Sequence, residues 1–419
     1  MISGNPASSM IGGLGVADPY PVLAELRARE PMTYDEASGM WLALSHRHAN
    51  QVLRDRRLGR IWADREPARR FAAFNALHRH QMMENEPPDH TRLRAQVAAA
   101  FSRGHIERLR PRIGALAEEL LAVAGTELDL IADYAEPLPV QVIAELLGVP
   151  PADRPLLRPW SAAIVRMYEL RRGTPTEQAA TEDGAVQAAA DFAAYLRELA
   201  AARRVRPGTD LISDLLARGG LSEDELVASA ALLLNAGHEA SVNALGNGVV
   251  ALLRHPAELA RLRAASPGGA LRSSGPASST ALDRATILDR AAVLDSAVEE
   301  MLRYDAPLQL FERTATADVE IGGVVVPAGR TVAALLGAAN RDPAVFAEPD
   351  RFDAGRGPNP HLGFGAGLHF CLGAPLARLE LRTALATLLR RSPGLALAGE
   401  PVRRTTFVLR GYASVPIRR

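Results

Sequence analysis

Phe364-Gly365-Ala366-Gly367-Leu368-His369-Phe370-Cys371-Leu372-Gly373 holds the only cysteine of the 419-residue chain and stands just before an apolar helical run, 372–389. A thiolate placed there meets the free N–H groups of a helix start, which stabilise negative charge on sulfur. The three glycines let the backbone approach a large flat group and turn N–H groups towards that sulfur. A lone cysteine is more often a small buried hydrophobe, so the rest of the chain has to decide between a ligand and a filler.

Composition narrows the choices. One cysteine excludes an internal disulfide and a Cys-rich zinc site, and it fits a reducing compartment. Basic and acidic residues balance at 48 each, every basic one an arginine, so no overall field draws the chain to nucleic acid or anionic lipid. At 47% hydrophobic and 23% charged the chain is globular, which excludes a disordered chain, a coiled coil and a collagen-like repeat. Residues 1–20 show no charged region followed by an apolar core, and no stretch approaches the ~18 apolar residues of a membrane span. A soluble, cytoplasmic, monomeric protein is expected.

Most of the chain reads as helix. Met40-Trp41-Leu42-Ala43-Leu44 suits a strand before a helical 49–53. Asp89 is placed as the N-cap of a helix through Phe101. Ser222 and Glu225 form a capping-box pattern at the head of a helix about 50 Å long that ends near His255, ahead of Pro256. Because it is apolar through Leu232-Leu233-Leu234, that helix should run through a core. Residues 318–321, Gly322-Gly323 and 324–326 spell strand, turn, strand, and 406–409 reads as a closing strand. One Gly-, Pro- and Ser-rich stretch, 266–280, cannot bury enough surface to offset its ordering. It is expected as a flexible surface insertion inside a single domain, 1–419; a domain linker is the competing reading.

The pattern Phe-x-x-Gly-x-His-x-Cys-x-Gly over 364–373 resembles the haem-binding loop of the cytochrome P-450 family, in which the cysteine is the axial iron ligand. Three further stretches agree, in the family's order. Glu300-Met301-Leu302-Arg303 matches the Glu-x-x-Arg of the family's K helix, whose ion pair braces the haem loop. Asn340-Arg341-Asp342-Pro343, then Phe346, Pro349, Phe352 and Asp353, resemble the meander before that loop. Ala236-Gly237-His238-Glu239 falls in the long helix, where the family bends its I helix over the iron. The resemblance implies a mainly α fold with small β-sheets: a triangular prism of helices with haem b between the I helix and the L helix, here 372–389. It implies Cys371 as iron ligand and Phe364, Gly365 and Gly373 as loop residues around it. His90 and Arg94, at i,i+4 on one helix face, match the pair that clasps a haem propionate. Arg313 matches the arginine ahead of the first sheet hairpin, and His369 the loop's propionate donor.

The family's I helix usually carries an acid followed directly by threonine, which manages proton delivery. This chain has Glu239, then Ala240, then Ser241. A methyl neither donates nor accepts a hydrogen bond, and one residue along a helix turns Ser241 by ~100° from the same target. A substrate hydroxyl is the more attractive replacement. Glu239 is expected to relay protons, with a silent structural acid as the competing reading.

Two other groupings carry less weight. His78, His80 and His90 lack a fourth ligand and read as surface histidines. Arg65, Arg69 and Arg70 read as solvated lid residues. The leading reading is a haem-thiolate monooxygenase that hydroxylates or epoxidises a mid-sized secondary metabolite, polyketide or peptide-derived, with dioxygen. Ferredoxin and ferredoxin reductase would supply the electrons. Oxidative C–C or C–O coupling of aromatic or peptide substrates is the second reading, and a non-catalytic haem-bearing recruitment module the third. Pocket walls are expected from 61–83, 160–168, 233–240, 308–310 and 407–408, by resemblance to the family's substrate-contacting regions.

Overall fold

Fourteen α-helices and twelve short strands account for most of the described residues, 18–169, 174–265 and 284–419, of the computed structural model. Two helices, α1 (Tyr20–Arg29) and α2 (His46–Arg54), accompany the strand layer. Then follow α3 (Ala72–Arg79), α4 (Asp89–Ala98), α5 (Arg103–Val123), α6 (Pro137–Leu147), α7 (Arg154–Val165), α8 (Pro175–Val205) and α9 (Leu211–Arg218). The long α10 (Glu223–Arg254) leads to α11 (Pro256–Ala265), α12 (Arg284–Tyr304), the single turn α13 (Leu336–Ala339) and α14 (Ala374–Arg391).

Ser222 and Glu225 start α10 as the spacing predicts. The Glu225 N–H donates to the Ser222 hydroxyl at 3.2 Å and the Ser222 N–H to the Glu225 carboxylate at 2.9 Å, so two orphan donors are satisfied. From Leu226 to Leu252 nearly every residue of α10 is buried, and the helix packs against α3, α6, α8, α12 and α14. It is the axle of the main core, which gathers side chains from Phe71 to Ile417.

The largest sheet forms a layer apart from that core. A five-stranded sheet runs in the order Met32–Asp35, Met40–Ala43, Thr331–Leu335, Leu310–Ala315, Leu58–Gly59, and only its Met40–Ala43 and Thr331–Leu335 pair is parallel. Alternation buries both faces: Ala43, Val332 and Ala334 join one cluster, while Leu42, Ala333 and Leu335 join another. Val319–Ile321 and Val324–Val326 pair across Gly322-Gly323, as read from sequence.

Two expectations about the elements end differently, and one is not reached. Asp89 is the first residue inside α4, not its cap; Pro88 takes the cap position, and no side chain caps the helix. A first-turn carboxylate still favours the helix N-terminus. Residues 406–409 are a turn, with only Leu409 bridging to Leu308; the C-terminal strands are Val402–Arg403, Tyr412–Ser414 and Pro416–Arg418. The 266–280 segment lies outside the described residues.

Candidate functional site

The Cys371 loop is held at both ends. The Cys371 N–H donates to the Phe364 carbonyl at 3.0 Å, and the Leu362 N–H donates to the Asn340 side chain at 2.7 Å. Gly365 and Gly367 both have φ +69°, and a side chain at Gly367 would collide with the Leu53 carbonyl of α2. Only glycine allows that turn and that approach. Burial pushes the Cys371 thiol up, while the N–H groups of Gly373 and Ala374 and the guanidiniums of Arg94 and Arg378 pull it back. The helix-start donors expected around sulfur are therefore present, and Gly373 leaves them room.

The four residues expected to hold the haem carboxylates lie in one neighbourhood. The rings of His90 and His369 stand 4.6 Å apart, edge to face. Arg94 donates to the Phe370 carbonyl at 2.8 Å, beside the cysteine. His369 Nε2 lies 2.8 Å from the carboxylate of Glu86, which is held below the usual carboxylate range: burial raises it, but bonds from His369 and the Arg60 N–H outweigh that. Arg313 is 3% exposed, and burial, then the nearby Arg60, pushes it down to about 10. The only hydrogen bond made by its guanidinium among the described residues is to the Glu312 carbonyl, at 2.8 Å. Buried His90 is pushed down to about 4 by burial and by His369 and Arg94, and neither of its ring nitrogens has a hydrogen-bond partner.

Glu300 and Arg303 lie deeper, both fully buried. Arg303 grips Glu300 through two bonds of 2.7 and 2.8 Å and donates to the carbonyls of Asn340, Pro349 and Arg351. Glu300 also receives Arg356 Nε, the Asp353 N–H and Asn359. The pair ties α12 to the meander leading into the Cys371 loop. Arg356 is a third member that sequence reading missed.

On α10 the acid is occupied. Arg404 donates to Glu239 at 2.8 Å, and His238 Nε2 stands 3.4 Å from the other oxygen. Burial alone would raise Glu239, but His238 and Arg404 hold it down at about 2. Ser241 donates back to the Gly237 carbonyl at 3.3 Å, the bond that turns it from the Ala240 face. Behind it stands an acid not anticipated from sequence: Glu380 of α14, pushed up to about 8 by burial, which the neighbouring Ser241 only partly offsets. Single charged residues such as Arg404, Arg356 and Glu380 carry no local pattern among 48 basic and 48 acidic side chains.

The remaining candidates separate. His78 and His90 are buried rather than surface histidines; His78 lies between Trp62 and Phe74 and bonds to Tyr168. Arg70 pairs with Glu182 and Asp183, and Arg65 donates to the Met167 carbonyl.

These residues fit a haem. A thiol among N–H donors stands beside a cluster of cations and donors, one of which, His369, already bonds a carboxylate. The desolvated Arg313 and the two orphan nitrogens of His90 call for anionic oxygens, which haem propionates carry.

Comparison with known proteins agrees with this chemistry. The family model described as Cytochrome P-450 matches residues 157–392. The monooxygenase PikC of Streptomyces venezuelae is 39% identical, with 97% of this chain and 93% of that protein covered. The 6-deoxyerythronolide B hydroxylase of Saccharopolyspora erythraea is 37% identical, with 96% of each covered. The crystal structure of P450BioI in complex with hexadec-9Z-enoic acid-ligated acyl carrier protein superposes with a TM-score of 0.86 at 33% identity, covering 96% of this chain and 99% of that one. No helix among the described residues is long and apolar enough to cross a membrane.

Proposed function

This chain belongs to the cytochrome P-450 family of monooxygenases, and on that premise we propose that it inserts one oxygen atom of dioxygen into a C–H or C=C bond of a mid-sized polyketide, macrolide or peptide-derived metabolite. Haem b would be the cofactor, and a ferredoxin with its reductase would supply the two electrons. The observation that carries this reading is the half-buried Cys371 thiol among helix-start N–H groups, beside His90, Arg94, Arg313 and His369.

When bound, a thiolate-ligated haem supplies dioxygen activation. The chain's own part is ligation, clasping and proton supply. Cys371 would ligate the iron through its sulfur, with the Gly373 and Ala374 N–H groups tempering its charge. His90, Arg94, Arg313 and His369 would bond the propionates. Glu239 is ionised and held by Arg404, so it has no proton to give while that pair stands. Glu380 keeps its proton at neutral pH beside Ser241, the hydroxyl next in sequence to Ala240, so this pair would hold a proton for the site. A substrate hydroxyl would complete the line where the methyl of Ala240 leaves no donor.

The test uses a panel of macrolactones screened by spin-state shift in the visible spectrum, then turnover of those that bind under isotopically labelled dioxygen. Label in the product supports monooxygenation. A coupled product without label contradicts it.

A further inference from the structure

Three successive residues after α7 reach three distant parts of the chain. The Met167 carbonyl accepts from Arg65 at 3.2 Å. The Tyr168 hydroxyl lies 2.9 Å from His78 Nε2, while His78 Nδ1 lies 2.7 Å from the Phe74 carbonyl. A carbonyl only accepts, so Nδ1 carries the proton and Nε2 is the acceptor of the tyrosine proton. Glu169 then accepts three consecutive N–H groups: Phe407 at 2.8 Å and Val408 at 3.0 Å on Oε2, and Leu409 at 2.9 Å on Oε1. These contacts join α3, the end of α7 and the 407–409 turn, which are three of the expected walls of the substrate cavity.

The turn so captured is not remote from the chemistry. Its Val408 carbonyl accepts the Gln309 N–H at 2.9 Å, and Arg404, just past the Val402–Arg403 strand that leads towards it, is bonded to Glu239. Only a carboxylate has enough acceptor sites on two oxygens for three converging N–H groups. Glu169 is 9% exposed, so water does not compete freely for those bonds.

We propose that Glu169, with Tyr168 beside it, is a positioning residue that clasps these three walls together and so sets how bulky a ligand the cavity admits. The proposal rests on the haem-thiolate reading. Polar contacts of Arg65, Tyr168 and Glu169 tie the walls there, and Glu169 makes three of them.

The test measures binding rates of two iron-ligating probes to the holoenzyme by stopped-flow absorption at the Soret band: imidazole, which is small, and clotrimazole, which is bulky. Glu169→Gln keeps the shape but turns an amide donor towards one set of N–H groups. Loss of one charge-assisted bond should speed clotrimazole association and dissociation about tenfold. Imidazole rates should stay unchanged. Tyr168→Phe deletes one hydroxyl of the same clasp and should act in the same direction by about threefold; it decides the matter if Glu169→Gln does not retain haem. Unchanged clotrimazole rates, or equal changes for both probes, would overturn the clasp. Failure of unmodified protein to shift its spectrum with imidazole would overturn the haem reading itself, and the clasp with it.

Discussion

Two buried charged clusters flank the Cys371 loop, and they are built to opposite standards. Around Glu300 and Arg303 both carboxylate oxygens are taken, and each of the three guanidinium nitrogens of Arg303 is bonded to a carboxylate or a carbonyl. Around His90 and Arg313 burial is as deep, yet two imidazole nitrogens are orphaned and a guanidinium leans on one neighbouring carbonyl. A satisfied network stabilises the fold that contains it; an under-satisfied one of the same burial costs free energy until a partner arrives. The first cluster is built as a brace, and the second as the socket that the haem reading requires.

That contrast is open to breaking. Glu300→Ala would strand a buried arginine, so unfolding free energy should fall by about 3–5 kcal/mol in denaturant titration, with haem lost alongside. Comparable stability in the variant would remove the brace. Two buried carboxylates sharpen the contrast through pH. Glu239 is depressed from 4.5 to about 2, so it contributes stability that is complete above about 4.5 and lost as pH falls towards 2. Glu239→Gln should flatten that acid limb, worth about 3 kcal/mol. Glu380 is raised from 4.5 to about 8, so its contribution is complete below 4.5 and lost as pH climbs towards 8. Glu380→Gln should therefore gain about 3 kcal/mol near neutral pH while raising hydrogen peroxide released per reductant consumed. Unchanged peroxide would take Glu380 out of proton supply.

Smaller effects test the socket. His90→Phe removes orphaned nitrogens for an apolar ring, so apoprotein stability should move by less than about 1 kcal/mol. Haem transfer to apomyoglobin should nevertheless quicken. A large loss of apoprotein stability would make His90 part of a brace. The smallest change belongs to the surface: Arg70→Ala breaks exposed pairs with Glu182 and Asp183 and a contact over the Phe71 ring, and should leave the thermal midpoint almost unchanged.

Legibility in the sequence followed how local each feature is. The Ser222 and Glu225 box, the Gly322-Gly323 hairpin and the Cys371 loop are written in neighbouring residues and could be read directly. The 406–409 turn looked like a strand because Phe407, Val408 and Leu409 are apolar; its N–H groups go to Glu169, more than two hundred residues earlier. Asp89 looked like a cap because it precedes a helical run, yet the helix is already entered at Pro88, whose ring presets φ. Arg356, Arg404 and Glu380 act through tertiary placement alone, and a single charge has no period to betray it.

The central claim is that Cys371 binds haem iron as a thiolate. Its most direct test is the absorption spectrum of reduced protein under carbon monoxide, for the unmodified chain and for Cys371→His. Thiolate ligation predicts the strongly red-shifted Soret band in the first and its disappearance in the second. An unmodified chain without that band, or a Cys371→His variant that keeps it, would contradict the assignment.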